Sequence, residues 1–262
     1  MKKLLLGLIL SVSLPVMAVP VNIADNYVGG DDHGYGDVIG SVTKFGISSM
    51  DVSMLGSLLT VQINTQFASQ GLGTYGSLTN TALSGGQGIG FGDLFLSSNG
   101  WNPSGSAPYM NDDHSNGEVW EYGISLTDRW STTSGSALYA LSGSNNDSAY
   151  LSQDFLNSGV FRDGQEVAVD VNGGYASLLG NLTLFSTTAN SITFSLDTTG
   201  TSLANASSIG IHWGMTCGND TIEGEYNIPS VPEPATVMLM LLGLACLLSA
   251  GMRRKNLAAS IA

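Results

Sequence analysis

Ile209-Gly210-Ile211-His212-Trp213-Gly214-Met215-Thr216 alternates apolar with small or polar residues without a break. Successive side chains of a strand point to opposite faces. One face therefore carries Ile209, Ile211, Trp213 and Met215, and the other carries Gly210, His212, Gly214 and Thr216. The same period of two recurs along the chain. Val61, Ile63, Thr65 and Phe67 alternate with Gln62, Asn64 and Gln66; Val167, Val169 and Val171 with Ala168 and Asp170; Ile192, Phe194 and Leu196 with Thr193 and Ser195. Further strands are expected within 44–52, 92–96, 119–126, 137–141 and 182–185. Between these runs lie clusters such as Ser84-Gly85-Gly86, Asp163-Gly164 and Asn172-Gly173-Gly174, whose residues accept the backbone of tight turns. Outside the two ends no apolar stripe of helical period lasts three turns. The pattern predicts an all-β chain, an antiparallel β-sandwich or jelly roll, with long loops near 25–40, 70–90 and 99–117.

The two ends differ from this pattern. Met1-Lys2-Lys3 is basic, 4–14 is apolar, and Val16-Met17-Ala18 fits the small-residue rule of signal peptidase, which predicts cleavage after Ala18. At the other end, Val231-Pro232-Glu233-Pro234-Ala235-Thr236 leads into 235–252, which is free of charge, and Arg253-Arg254-Lys255 follows. Eighteen residues at about 1.5 Å each span about 27 Å, enough to cross the hydrocarbon core. The basic cluster then sits in the cytoplasm by the positive-inside bias. The prolines fix φ and lack N–H donors, so the backbone before the span is extended, unpaired and open to a processing enzyme.

This order of Pro-Glu-Pro, span and basic cluster resembles the PEP-CTERM sorting tail that exosortases recognise in bacteria making extracellular polymer. An ordinary single-span anchor is the plainer alternative. The resemblance implies an inner-membrane intermediate, processing at Val231, Pro232, Glu233 and Pro234 against the stop at Arg253, Arg254 and Lys255, and delivery to the cell surface or extracellular matrix. The expected organisation is a signal peptide at 1–18, an exported domain at 19–226, a linker with the sorting motif at 227–234, a transmembrane helix at 235–252 and a cytoplasmic tail at 253–262. Within the exported domain, Tyr27-Val28-Gly29-Gly30-Asp31, Gly92-Asp93-Leu94-Phe95-Leu96, Trp120-Glu121-Tyr122-Gly123 and the stretch from His212 to Asp220 resemble a recurring type of exosortase-dependent surface protein. That type implies a secreted protein with no assigned activity.

Of 262 residues, about 210 remain once both ends are set aside, which suits one large β-domain. Five of the eight basic residues belong to the ends, leaving Lys44, Arg129 and Arg162 against twenty carboxylates, a balance of about −17. Such a surface repels nucleic acid and anionic lipid, and favours divalent cations and neutral or cationic polymers. Cys217 lies in the exported domain and Cys246 in the apolar span, so the two do not pair, and Cys217 is expected as a buried thiol.

Three groups of residues bear on chemistry. Asp31, Asp32 and Asp37 crowd one loop with no cation before Lys44, and Asp112 and Asp113 form a second acidic pair, with Asp25 and Asp93 in reach as contributors. A hard cation such as structural calcium relieves that repulsion, although the spacing is not that of an EF-hand, and a solvated acidic turn is the plain alternative. Trp101 and Tyr109 lie in a long polar loop and are candidates to stack on sugar rings. Glu223 and Glu225 share a strand face about 7 Å apart, while Glu118 and Glu121 point to opposite faces. No phosphate loop and no Gly-x-Ser-x-Gly elbow occurs. The expectation is a non-catalytic binding or structural module of the extracellular polysaccharide matrix, requiring no cofactor beyond possible calcium. The alternative is a jelly-roll glycosidase or lyase. Its expected partners are signal peptidase, exosortase and extracellular polysaccharide.

Overall fold

The computed structural model describes residues 19–77, 79, 83, 85–156, 161–229, 240 and 242–245. Residues 1–228 form one compact unit and 229–262 a second. In the second unit, residue 240 and residues 242–245 are helical. Among the described residues no helix is long and apolar enough to cross a membrane. The expected signal peptide with Ala18, the sorting residues Val231 to Pro234, most of the 235–252 span and the Arg253-Arg254-Lys255 cluster lie outside the described residues.

The first unit is β-structure throughout, as the alternation predicts. Its strands are β1 (Val21–Ala24), β2 (Ile47–Leu55), β3 (Leu58–Thr65), β4 (Leu94–Ser97), β5 (Tyr122–Leu126), β6 (Ser136–Leu141), β7 (Ala149–Leu151), β8 (Glu166–Val169), β9 (Ala176–Leu178), β10 (Thr183–Thr187), β11 (Ser191–Asp197), β12 (Ser208–Gly214) and β13 (Thr221–Asn227). A five-stranded sheet runs β1-β2-β3-β11-β10, a six-stranded sheet runs β13-β12-β4-β5-β6-β9, and β7 pairs with β8. Every pairing is antiparallel. Two single helical turns, α1 (Val42–Phe45) and α2 (Phe67–Gln70), flank the first sheet's strands.

The two large sheets enclose one apolar core. Met50, Val52, Val61, Ile63, Ile192 and Phe194 face Leu94, Leu96, Ile124, Ile209, Ile211 and Trp213, all fully or almost fully buried. Burying side chains of this size contributes about 1.5–3 kcal/mol each, which fixes the parity of every central strand. Trp213 donates its Nε1–H to the Gly92 carbonyl at 3.1 Å. Gly92 itself has no room for a side chain, because a Cβ there would stand 1.7 Å from the Gly214 carbonyl oxygen.

The β7–β8 pair makes a third layer over the outer face of the six-stranded sheet. Val169 packs with Phe95 and Trp120 there, so a second apolar cluster lies behind the main core. This layer covers two side chains. His212 faces away from the main core, as the alternation predicts, and is completely buried beneath β8. Trp120 lies apart from Ile124, because β5 begins only at Tyr122 and the preceding chain turns the indole into the second cluster.

Other differences are at strand ends. The run through Phe67 breaks at Thr65, and Phe67 opens α2 while staying buried. The 44–52 segment divides into the end of α1 and the start of β2. β13 continues through Asn227, one residue into the expected linker. The 25–41, 66–93 and 98–121 stretches carry the long connections, and α1 and α2 are the helical turns at their ends.

Few cations hold this acidic chain. Arg129 pairs with Asp93 at 3.4 Å, and Asp93 also accepts from the N–H groups of Leu126 and Val169. Arg162 is fully buried and donates to the carbonyls of Gly29, Gly36, Asp37 and Gly218, pinning the acidic loop to the turn after β12. Cys217 is a free, buried thiol, as expected, and burial pushes it up beyond the range in which a thiolate forms.

Candidate functional site

The β12–β13 hairpin sets His212 directly opposite Glu223. Their side chains meet on the outer face, with His212 Nδ1 2.8 Å from Glu223 Oε1. His212 Nε2 lies 2.6 Å from the Glu166 main-chain carbonyl, which only accepts, so Nε2 carries a proton. A single further proton is then shared between Nδ1 and the Glu223 carboxyl. Burial opposes a charged imidazole, but the hydrogen bond and charge of Glu223, with the nearby Glu166, outweigh it and raise His212 above its usual value. Glu166 is itself pushed up to about 8 by burial, eased by His212, and bonds to Asn146.

The other oxygen of Glu223 faces the indole of Trp101. Trp101 donates its Nε1–H to Glu223 Oε2 at 2.7 Å, which orients the indole over the β12–β13 edge. Tyr109 meets Trp101 edge-on at 5.1 Å and stacks on Tyr27 at 6.1 Å. Tyr109 holds this position with a left-handed backbone, φ 61°, which is rare for a bulky side chain. The Tyr27 hydroxyl lies 3.0 Å from Asp112 Oδ2. The three rings are therefore fixed from beneath by a polar scaffold. Trp101, Pro108, Tyr109, Glu223, Glu225 and Ile23 line an open cavity of about 690 Å³.

Two groups that the sequence holds apart thus come together. The stacking candidates Trp101 and Tyr109 share one cavity with the Glu223 and Glu225 pair. Glu118 and Glu121 are spent elsewhere: Glu118 accepts from Ser97 and Asn102, and Glu121 from the main chain and hydroxyl of Ser98. Both fasten the loop that carries Trp101.

The five aspartates expected to hold calcium do not converge as a set. Asp32 accepts from the N–H groups of Gly34 and Gly36, which lower it below its usual value. Asp113 closes a turn onto Ser115, and Asp31 is exposed. Asp112 is buried against Tyr27 and the Ser104 N–H, and burial followed by the charge of Glu223 pushes it up to about 6. Asp37 alone of the five joins a group of three potential ligands, with Asp25 and Asp220. His33 and His114 contact main-chain carbonyls, of Phe161 and Gly164.

The sequence reading missed the His212–Glu223 pair and Glu166. A signal was available: Thr216 to Asp220 is a turn between two alternating segments, and the hairpin it implies sets residue 212 against 223. Glu166 comes from a separate layer and had no such signal.

Comparison with known proteins bears on the C-terminus. Residues 230–255 match the model of the PEP-CTERM protein-sorting motif. The chain carries an exosortase sorting signal. The motif implies exosortase-dependent processing, with export and sorting to the cell surface or extracellular space. It covers the Val231 to Pro234 and Arg253 to Lys255 positions expected from the sequence. No curated protein and no solved structure is detectably similar to the chain.

Proposed function

We propose that the exported domain is a non-catalytic module of the extracellular matrix that binds polysaccharide in the Trp101–Tyr109 cavity. The observation that carries this reading is an aromatic pair held in fixed orientation beside two carboxylates. An aromatic face matches the C–H face of a pyranose, and the half-exposed Glu225 carboxylate accepts hydrogen bonds from its hydroxyl or amino groups. The rings are ordered before any ligand arrives, so less entropy is lost on binding. The acidic balance of the domain favours a neutral or amino-bearing polymer over an anionic one.

Binding is favoured over cleavage because both oxygens of Glu223 are already engaged, by Trp101 and by His212. A nucleophile or acid would need one of them free. With Glu223 so held, Glu225 has no second carboxylate to act with, whereas glycoside hydrolysis uses two.

Trp101→Ala and Tyr109→Ala test the cavity. Each is expected to weaken binding of the host's extracellular polysaccharide about tenfold or more, because aromatic anchors dominate such contacts. Glycan affinity electrophoresis of the full chain reads the effect. Unchanged mobility in both variants would contradict the assignment.

A further inference from the structure

Asp25 and Asp37 come from the two ends of the connection that follows β1, and Asp220 from the distant turn into β13. One carboxylate oxygen from each lies within 4.8 Å of the other two. The group runs from surface to interior. Asp37 is exposed beside an open cavity of about 690 Å³, Asp25 is half-buried, and Asp220 is completely buried.

The buried end is incompletely bonded. Asp220 Oδ2 accepts from the Ile47 N–H at 2.6 Å, but its Oδ1 is buried without a hydrogen-bond partner. Both carboxylate oxygens of Asp25 are likewise buried, and apart from the Tyr27 N–H that eases their charge they find no protein partner. A buried polar atom left unpaired costs about 1–3 kcal/mol, more when charged, so three such oxygens in one place call for a ligand. Their neighbours Asn219 and Thr221 also leave a buried side-chain oxygen unpartnered.

Protein cations do not supply what is missing. Burial raises Asp25, Asp37 and Asp220, and the nearby Arg162 charge only partly opposes this, because its N–H groups are spent on four main-chain carbonyls. Nor do the acids pair with one another. Asp25 has no hydrogen bond to either neighbour, so a shared proton does not explain the approach.

A divalent ion does explain the spacing. Calcium–oxygen distances of about 2.3–2.6 Å set two oxygens on one ion at most about 5 Å apart. One oxygen from each of the three carboxylates, all within 4.8 Å of one another, fits inside that limit. The set is all oxygen, without the imidazole or thiolate that selects zinc or copper. We propose that Asp25, Asp37 and Asp220 hold one calcium ion, which ties the N-terminal segment and the acidic loop to the β12–β13 turn.

The test is equilibrium dialysis of the chelator-treated full-length protein against calcium chloride, with thermal unfolding alongside. One ion per chain is expected, and calcium at 100 times its dissociation constant should raise the melting temperature by about 5–10 °C. Asp37→Asn removes an exposed ligand without disturbing the buried packing. It should fold with the metal-free melting temperature unchanged or higher, and bind calcium at least tenfold more weakly. Absence of bound calcium at millimolar concentration, or binding that Asp37→Asn leaves unchanged, would overturn the proposal.

Discussion

Replacement of Pro232, Glu233 and Pro234 by alanine is expected to abolish surface delivery and leave the chain in the inner membrane. The two prolines lack N–H donors and restrict the residues before them to extended conformations, so the chain entering the apolar run stays unpaired. Alanine reverses each property. It is the strongest helix former, and three in a row would let a helix in the apolar run extend backward through the motif and close its main chain in hydrogen bonds. An enzyme that reads an extended segment then loses both side chains and backbone. Fractionation of cells, with protease added from outside, measures the outcome. The unaltered chain should appear at the surface or in the medium, and the variant with the inner membrane. Equal surface delivery of both would show that the match at 230–255 does not direct sorting in this chain.

The second large effect is a dependence on pH opposite to that of most acidic proteins. Glu166 is pushed up by burial to about 8 in the folded state, from an ordinary carboxyl value of 4.5. His212 is also raised, since the Glu223 bond and charge outweigh its burial. Asp112 is raised to about 6 by burial and by Glu223. For each group the folded state binds its proton more tightly than the unfolded state. Stability contributed this way is full below the unfolded pKa and is lost as pH rises through the folded one. All three therefore act in the same direction, and for Glu166 the window runs from about pH 4.5 to 8. Glu166 alone is expected to cost at least about 2 kcal/mol across that window, a fall of roughly 4–8 °C in melting temperature. The scan is run in chelator, because calcium at Asp25, Asp37 and Asp220 would offset the loss at high pH. Glu166→Gln should make the profile shallower, while Asp25 and Asp220, which burial also raises, keep part of the slope. A melting temperature that holds steady or rises from pH 5 to 8 in the unaltered protein would contradict this electrostatic account.

The sandwich was legible because Ile209, Ile211 and Trp213, like Val61 and Ile63, lie on strands with one face in a common core, where burial enforces a period of two. Strands with little buried surface left no such trace. β9 is mostly exposed, and β7 has three half-buried residues. The third layer escaped notice for a related reason. Glu166 to Val169 is buried on all sides, so nothing in its own sequence says which face meets His212.

The candidate sites were legible only in part. Trp101 and Tyr109 were identified from their loop, and Glu223 with Glu225 from strand parity, but their meeting in one cavity depends on how the 98–121 connection folds back over β13. Crowding of aspartates in the sequence was a poor guide to convergence. Asp31 and Asp32 are near Asp37 in the chain, yet the partners of Asp37 are Asp25 and Asp220, the second of them distant in sequence. Adjacent acids in a loop turn outward and bond to their own backbone, as Asp32 does, which removes them from any shared site.

The most direct test of the binding module is to incubate the full-length protein with its host's extracellular polysaccharide in calcium, then measure co-sedimentation and new reducing ends in the same sample. The Trp101–Tyr109 cavity, with Glu223 held by its two partners, predicts co-sedimentation with no rise in reducing ends. New reducing ends that vanish in a Glu223→Gln, Glu225→Gln double variant would make the cavity an active site, and a polymer that leaves the protein in the supernatant would contradict the binding role.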